Sequence, residues 1–231
     1  MTSQALVGLL AGVQEVRALR AYYPVPRRGI ATGIEATAVK AHGRASVVLL
    51  SSHFERYFYA LNEQAIQWLN RQGCTVDRFP EQLLLLHSKQ ALDEVAQMAW
   101  ERRGVALKDF VAHHGPLWGA IGVPVILDAE PLLSFMKAPN PKTLKRFFKL
   151  YGLEDIFAST TYKAHTRSDY YLTLNELVDK RNNIAHGNAQ TEALPLDITH
   201  YLDIVERFCR SADKRMARTL KGIAQSQERP W

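Results

Sequence analysis

Residues 47–70 read VVLLSSHFERYFYALNEQAIQWLN. Within them Val47, Leu50, Phe54, Phe58, Leu61, Ala65 and Trp68 recur at steps of three and four, the spacing that gathers side chains on one face of an α-helix. The helical pattern covers Glu35 to Asn70, with an interruption predicted near Gly43, and Gly73 closes it. A helix this long with an apolar face needs other helices to cover it. The expected fold class is therefore all-α, a helical bundle.

The flanking sequence agrees. Pro80 is expected to open a second helix whose Leu83, Leu86, Leu92, Val95 and Ala99 carry the same period until Gly104. Asp197 is the expected N-cap of a helix with Ile198, Tyr201, Val205, Phe208, Ala212 and Met216 on one face. An N-terminal helix is expected over 1–21, then a loop over 22–33 holding Pro24, Pro26, Gly29 and Gly33. Residues 104–141 are crowded with breakers, among them Gly115, Pro116, Gly119, Gly122, Pro124 and Pro131. They predict an irregular, loop-rich insertion of loops and short helices. Val123 to Leu127 reads as an edge strand at most, because Pro124 cannot donate to a ladder. Helix resumes over Lys142 to Leu150, with one further turn over Asp155 to Ser159. With no internal repeat, a single domain over 1–231 is the simplest organisation.

Composition narrows the function. Hydrophobic residues make up 47% and charged residues 23% of the chain, an ordinary globular balance that argues against disorder. The formal charge of +6 favours polyanionic partners, since basic side chains neutralise phosphates and release counterions. Cys74 and Cys209 match no metal-ligand or redox spacing and read as reduced thiols. No signal peptide and no uncharged apolar run of about 18 residues is visible, so no membrane span and a cytoplasmic location are expected. His113 and His114 adjoin Gly115 without a carboxylate cluster, which argues against a metal site, and no cofactor is expected. The chain carries no phosphate-binding glycine loop, no Gly-x-Ser-x-Gly elbow and no CxxC pair.

Residues 175–187, NELVDKRNNIAHG, carry the chemistry. Arg181 and His186 fall five apart, the polar Asn182 follows the arginine, and Ala-His-Gly closes the run. This stretch resembles the signature of the HEPN superfamily, and its R-N-N-I-A-H-G form is similar to the RiboL-PSP-HEPN subgroup. Leu49 to Arg56, LLSSHFER, resembles that subgroup's early helix, which carries a glutamate after an apolar run; here that residue is Glu55. The resemblance covers Val39 to Met216. It implies a HEPN-like bundle that dimerises with these segments facing each other, so that one cleft gathers two arginines and two histidines. It also implies a metal-independent endoribonuclease acting as a toxin or anti-phage effector, with RNA as substrate and an antitoxin or other inhibitor as a possible partner. One departure stands out: some HEPN toxins carry a tyrosine two residues after the histidine, where their antitoxin modifies them, and this chain has Asn188.

Residue chemistry is compatible with that activity. In metal-free RNA cleavage a 2′-hydroxyl attacks the adjacent phosphorus and the 5′-oxygen leaves. A histidine, with an ordinary pKa near 6.5, can take or give the proton. An arginine offers a planar fork of donors to the phosphorane oxygens. Asn182 can bond the phosphate or orient His186. Positions five apart lie about 140° apart around a helix, so Arg181 and His186 do not share a face of a regular one. Either the helix ends or distorts near Ile184, or the two side chains meet across a cleft from either flank.

Blander uses compete. Arg181 can instead pair with Glu176 or Asp179, and His186 can merely cap its helix. Glu55 is either a carboxylate that positions Arg181 or an ordinary surface one. Lys142, Lys145, Arg146 and Lys149 make a basic stripe at i, i+3, i+4 and i+7, which is either an RNA backbone track or a solvated surface. The rival function is a non-catalytic HEPN module that binds nucleic acid, a nucleotide or a protein partner.

Overall fold

The computed structural model describes residues 2–22, 33–119 and 122–231, so the loop expected over 22–33 falls, from residue 23 to 32, outside the described residues. The elements in chain order are α1 (Gln4–Ala21), α2 (Gly33–Arg71), α3 (Glu81–Gln97), α4 (Trp100–His114), α5 (Pro116–Gly119), α6 (Pro141–Leu150), α7 (Ile156–Thr160), α8 (Ala164–Ala185) and α9 (Pro195–Ala224). The fold is all-α. Val123 to Leu127 contributes only an isolated antiparallel bridge, Thr75 with Pro124, in keeping with a proline that cannot extend a ladder.

α2 is the spine. Its 39 residues reach about 58 Å, and α1, α8 and α9 pack along it. Val47, Leu50, Phe54, Phe58, Leu61, Ala65 and Trp68 are all buried, as their period requires. Phe58 sits at the centre of an aromatic cluster, edge-on to Phe54, Tyr57, Phe147 and Phe148. The expected apolar face of α9 is buried throughout as well.

Several sequence expectations fail for reasons of packing. α2 is not interrupted at Gly43: a Cβ there would stand 2.3 Å from the Ala193 carbonyl oxygen, so the glycine admits a loop against an unbroken helix. Gly104 ends no helix either. The break falls at Met98 and Ala99, both extended, where the Arg103 guanidinium donates to the carbonyls of Ala96 and Met98. The second half of α3 leaves the core, with Leu92 exposed and Val95 half-buried, and Ala99 beyond its end is exposed. The segment after Gly104 is helical to His114, so the irregular stretch is shorter than expected and lies mainly over residues 122–140. Asn70 holds that stretch by bonding both the N–H and the carbonyl of Leu127, and Asn62 donates to the Ala129 carbonyl. Asp197 is not the N-cap of α9. Leu194 occupies that position, and Asp197, three residues on, accepts its N–H.

Candidate functional site

The site is built where α8 stops. α8 stays regular through Ala185, and Gly187, at φ +77, turns the chain away. The N–H of Asn188 bonds the carbonyl of Asn183, and that of Gly187 bonds Ile184, the paired closure that a left-handed residue after a helix permits. His186 is the C-cap residue through its backbone, whose N–H reaches the Asn182 carbonyl at 2.9 Å. Its side chain is exposed and makes no hydrogen bond or ion pair among the described residues.

Arg181 lies on the last regular turns of α8 and points toward α2. Its Nη2 stands 3.7 Å from Oε2 of Glu55, and its Nη1 donates to Oδ1 of Asn182 at 3.1 Å. The ion pair is longer than a hydrogen bond, so most of the guanidinium's five donors remain uncommitted. The other candidate acids are occupied. Asp179 accepts from Asn175, while Glu176 accepts from the Tyr201 hydroxyl and pairs with Lys180. Glu55 also lines a cavity of 740 Å³ with Tyr59, Asn62, Glu63, Leu133 and Met136. Burial, then the nearby Glu55 charge, push the Tyr59 phenol above its ordinary range, so it stays neutral.

Two supports for this end were not read from the sequence. Lys180 ties α8 to α9, lying 2.9 Å from Asp197 and 3.2 Å from Glu176, over the Tyr201 ring. Burial works against its charge, but hydrogen bonding with Tyr201, Asp197 and Glu176 outweighs that and lifts its pKa. The loop after Gly187 is clamped from α2: Arg44 donates to the carbonyls of Asn188 (2.7 Å) and Thr191 (3.3 Å), and Lys40 pairs with Glu192. Lys180 is adjacent to Arg181 in the sequence, which is a usable signal. Arg44 lies 144 residues from its nearer partner and offered none.

The basic stripe is on α6, which packs on α3, α7 and α8. Lys145 pairs with Asp155 and Lys149 with Glu154, both at 2.8 Å, and Arg146 lies 4.2 Å over the Phe135 ring. Lys142 is exposed. His113 bonds the Asp109 carbonyl of its own helix, and His114 stacks on Phe110. Cys74 and Cys209 are free, buried thiols. Among the described residues no group of three or more His, Cys, Asp or Glu side chains is placed to hold a metal, and no helix is long and apolar enough to cross a membrane.

A helical bundle that presents an arginine and a histidine at the end of one helix, with a glutamate facing the arginine from another, is the class that fold and site define. The family model described as RiboL-PSP-HEPN matches residues 29–218, and the chain belongs to that family. The comparison with curated proteins found no match, and neither did the comparison with solved structures.

Proposed function

We propose that this chain is a metal-independent endoribonuclease in which Arg181 and His186 act together on the scissile phosphate of single-stranded or loop RNA. The observation that carries the reading is that two uncommitted groups stand at one helix end: a guanidinium with most of its donors unused and an imidazole with no side-chain partner among the described residues. His186 serves the 2′-hydroxyl or the 5′-leaving oxygen as acid or base, and Arg181 steadies the charge that grows on the phosphorane. Glu55 holds the guanidinium toward α2, and Asn182 bonds it or the phosphate. The products are a 2′,3′-cyclic phosphate and a 5′-hydroxyl, and DNA is not cut, because it lacks the attacking group.

The working unit of this proposal is a homodimer with the α8 ends near the two-fold axis. A regular helix sets positions 181 and 186 about 140° apart, so one protomer alone makes a shallow pocket. On α6, Lys142 and Arg146 are the stripe residues left to meet an RNA backbone, since Lys145 and Lys149 are paired with Asp155 and Glu154. Cellular RNA as substrate fits a toxin or anti-phage effector at work in the cytoplasm, held in check by an antitoxin or other inhibitor. Asn188 leaves control by tyrosine modification without its target.

One observation favours a non-catalytic binding module: Glu55 gives Arg181 a structural use. It gives His186 none. The test is incubation of the purified protein with RNA and with DNA of the same sequence, both in EDTA. The expected result is cleaved RNA ending in cyclic phosphate beside intact DNA; uncut RNA, or cutting only after metal is added, rejects the proposal.

A further inference from the structure

α4 is a 15-residue helix that buries none of its side chains. It packs on α3 and α5, with His114 edge-on to His87 of α3 and Phe110 stacked on His114. At about 100° per residue, Trp100, Gly104, Leu107 and Val111 share a stripe about 60° wide. Trp100 is 78% exposed, Val111 57% and Leu107 49%, and among the described residues nothing lies within 4 Å of a Cβ built on Gly104. The half-buried residues of α4, Arg103, Ala106, Phe110 and His114, lie on the adjoining face roughly 85° round the helix, so the stripe itself is left for a partner helix to cover.

Charge and shape together choose the occupant. Glu101 and Lys108 flank the stripe on the same side, both exposed and neither in an ion pair among the described residues. Set two such helices side by side and antiparallel, with the centre between Val105 and Ala106. The two-fold axis then keeps each flank on its own side, and Glu101 of each copy meets Lys108 of the other. In a parallel arrangement the two-fold axis runs along the helices and sends the flanks of the two copies to opposite sides of the seam, so Glu101 and Lys108 of one copy cannot pair with those of the other. The same antiparallel register sets Trp100 against the other copy's Val111, and Leu107 against its Gly104, a large side chain over a position with none.

We propose that α4 is a self-association surface, pairing antiparallel with α4 of a second copy of this chain. The interface is isologous, and it is separate from the α8 ends. It does not depend on RNA cleavage. A contact carried by one short helix is at the small end of interface sizes, so association is weak and concentration-dependent.

A charge-swap cycle read by sedimentation or light scattering over a concentration series tests this. Glu101→Lys alone and Lys108→Glu alone should each weaken association about tenfold, since each sets like charges together at two symmetric places. The double variant should return to within about threefold of wild type, because both pairs re-form with reversed sign. Leu107→Glu should weaken association at least about a hundredfold and halve the mass of the assembly, whether or not the α8 ends also pair. These positions carry no core packing, so circular dichroism should be unchanged in every variant. A wild-type chain whose mass ignores Leu107→Glu overturns the proposal. So does a double swap weaker than either single one; a mass that none of these substitutions changes is the result expected if the helix of a different protein is the occupant, and it overturns the proposal too.

Discussion

Two regions of this molecule carry basic and imidazole side chains, and they differ in whether those groups are already used. On the α3–α6 side most are, Lys142 excepted. Lys145 and Lys149 hold Asp155 and Glu154, Arg146 covers Phe135, and buried His87 accepts the Asp128 N–H at 2.9 Å. At the end of α8, among the described residues, Arg181 has one long ion pair and one hydrogen bond, and His186 has no side-chain partner. Counting charges favours α6, which gathers four basic residues on one helix. Counting unsatisfied donors favours α8, and a ligand phosphate competes with whatever a cation already holds.

Substitutions can break this contrast. Arg181→Lys keeps the charge but loses the planar fork, and cleavage should fall by about a hundredfold or more. Near-full activity would reduce Arg181 to a point charge. Glu55→Gln should lower the cleavage rate about tenfold while leaving low-salt RNA affinity equal or tighter, since it removes an orienting partner and also a negative charge beside the phosphate site. Equal loss in both would make Glu55 a folding residue, which thermal melting would reveal.

On the other side the expected effects are smaller. Burial, reinforced by nearby His114, holds the His87 imidazole below its ordinary value despite Asp128. The unfolded chain takes up its proton near 6.5, so this part of the stability is complete above that pH and is lost as pH falls toward the lower folded value. Melting temperature should drop by roughly 4 °C or less between pH 7.5 and 5.5, and His87→Gln should flatten that component. Lys145→Glu with Arg146→Glu should change the salt slope of RNA binding by less than about two units, the value for two full phosphate contacts. A full two-unit change would show that RNA displaces Asp155 and Phe135.

The long periods were legible because a buried helix face writes itself into one stretch of sequence. The faces of α2 and α9 are the clearest cases, and the run from Asn175 to Gly187, on which the proposed chemistry rests, also marked the end of α8. What was illegible depended on a distant partner. Gly43 looks like a breaker, since glycine in a helix costs about 1 kcal/mol, until Ala193 arrives 150 residues later to need the space. Gly104 was misread because the end of α3 is fixed by the Arg103 side chain, which reaches back to Ala96 and Met98. Neither Glu55 facing Arg181 nor Arg44 clamping the loop after Gly187 follows from spacing, because each joins segments more than a hundred residues apart.

The claim that α8 ends in a catalytic pair is tested most directly by His186→Ala, assayed on RNA in EDTA beside wild type. The side chain is exposed and beyond the last helical residue, so melting temperature and circular dichroism should not change. Cleavage should fall by about a hundred- to ten-thousandfold, the usual worth of positioned acid–base chemistry. A well-folded His186→Ala protein that cuts RNA at the wild-type rate would contradict the account.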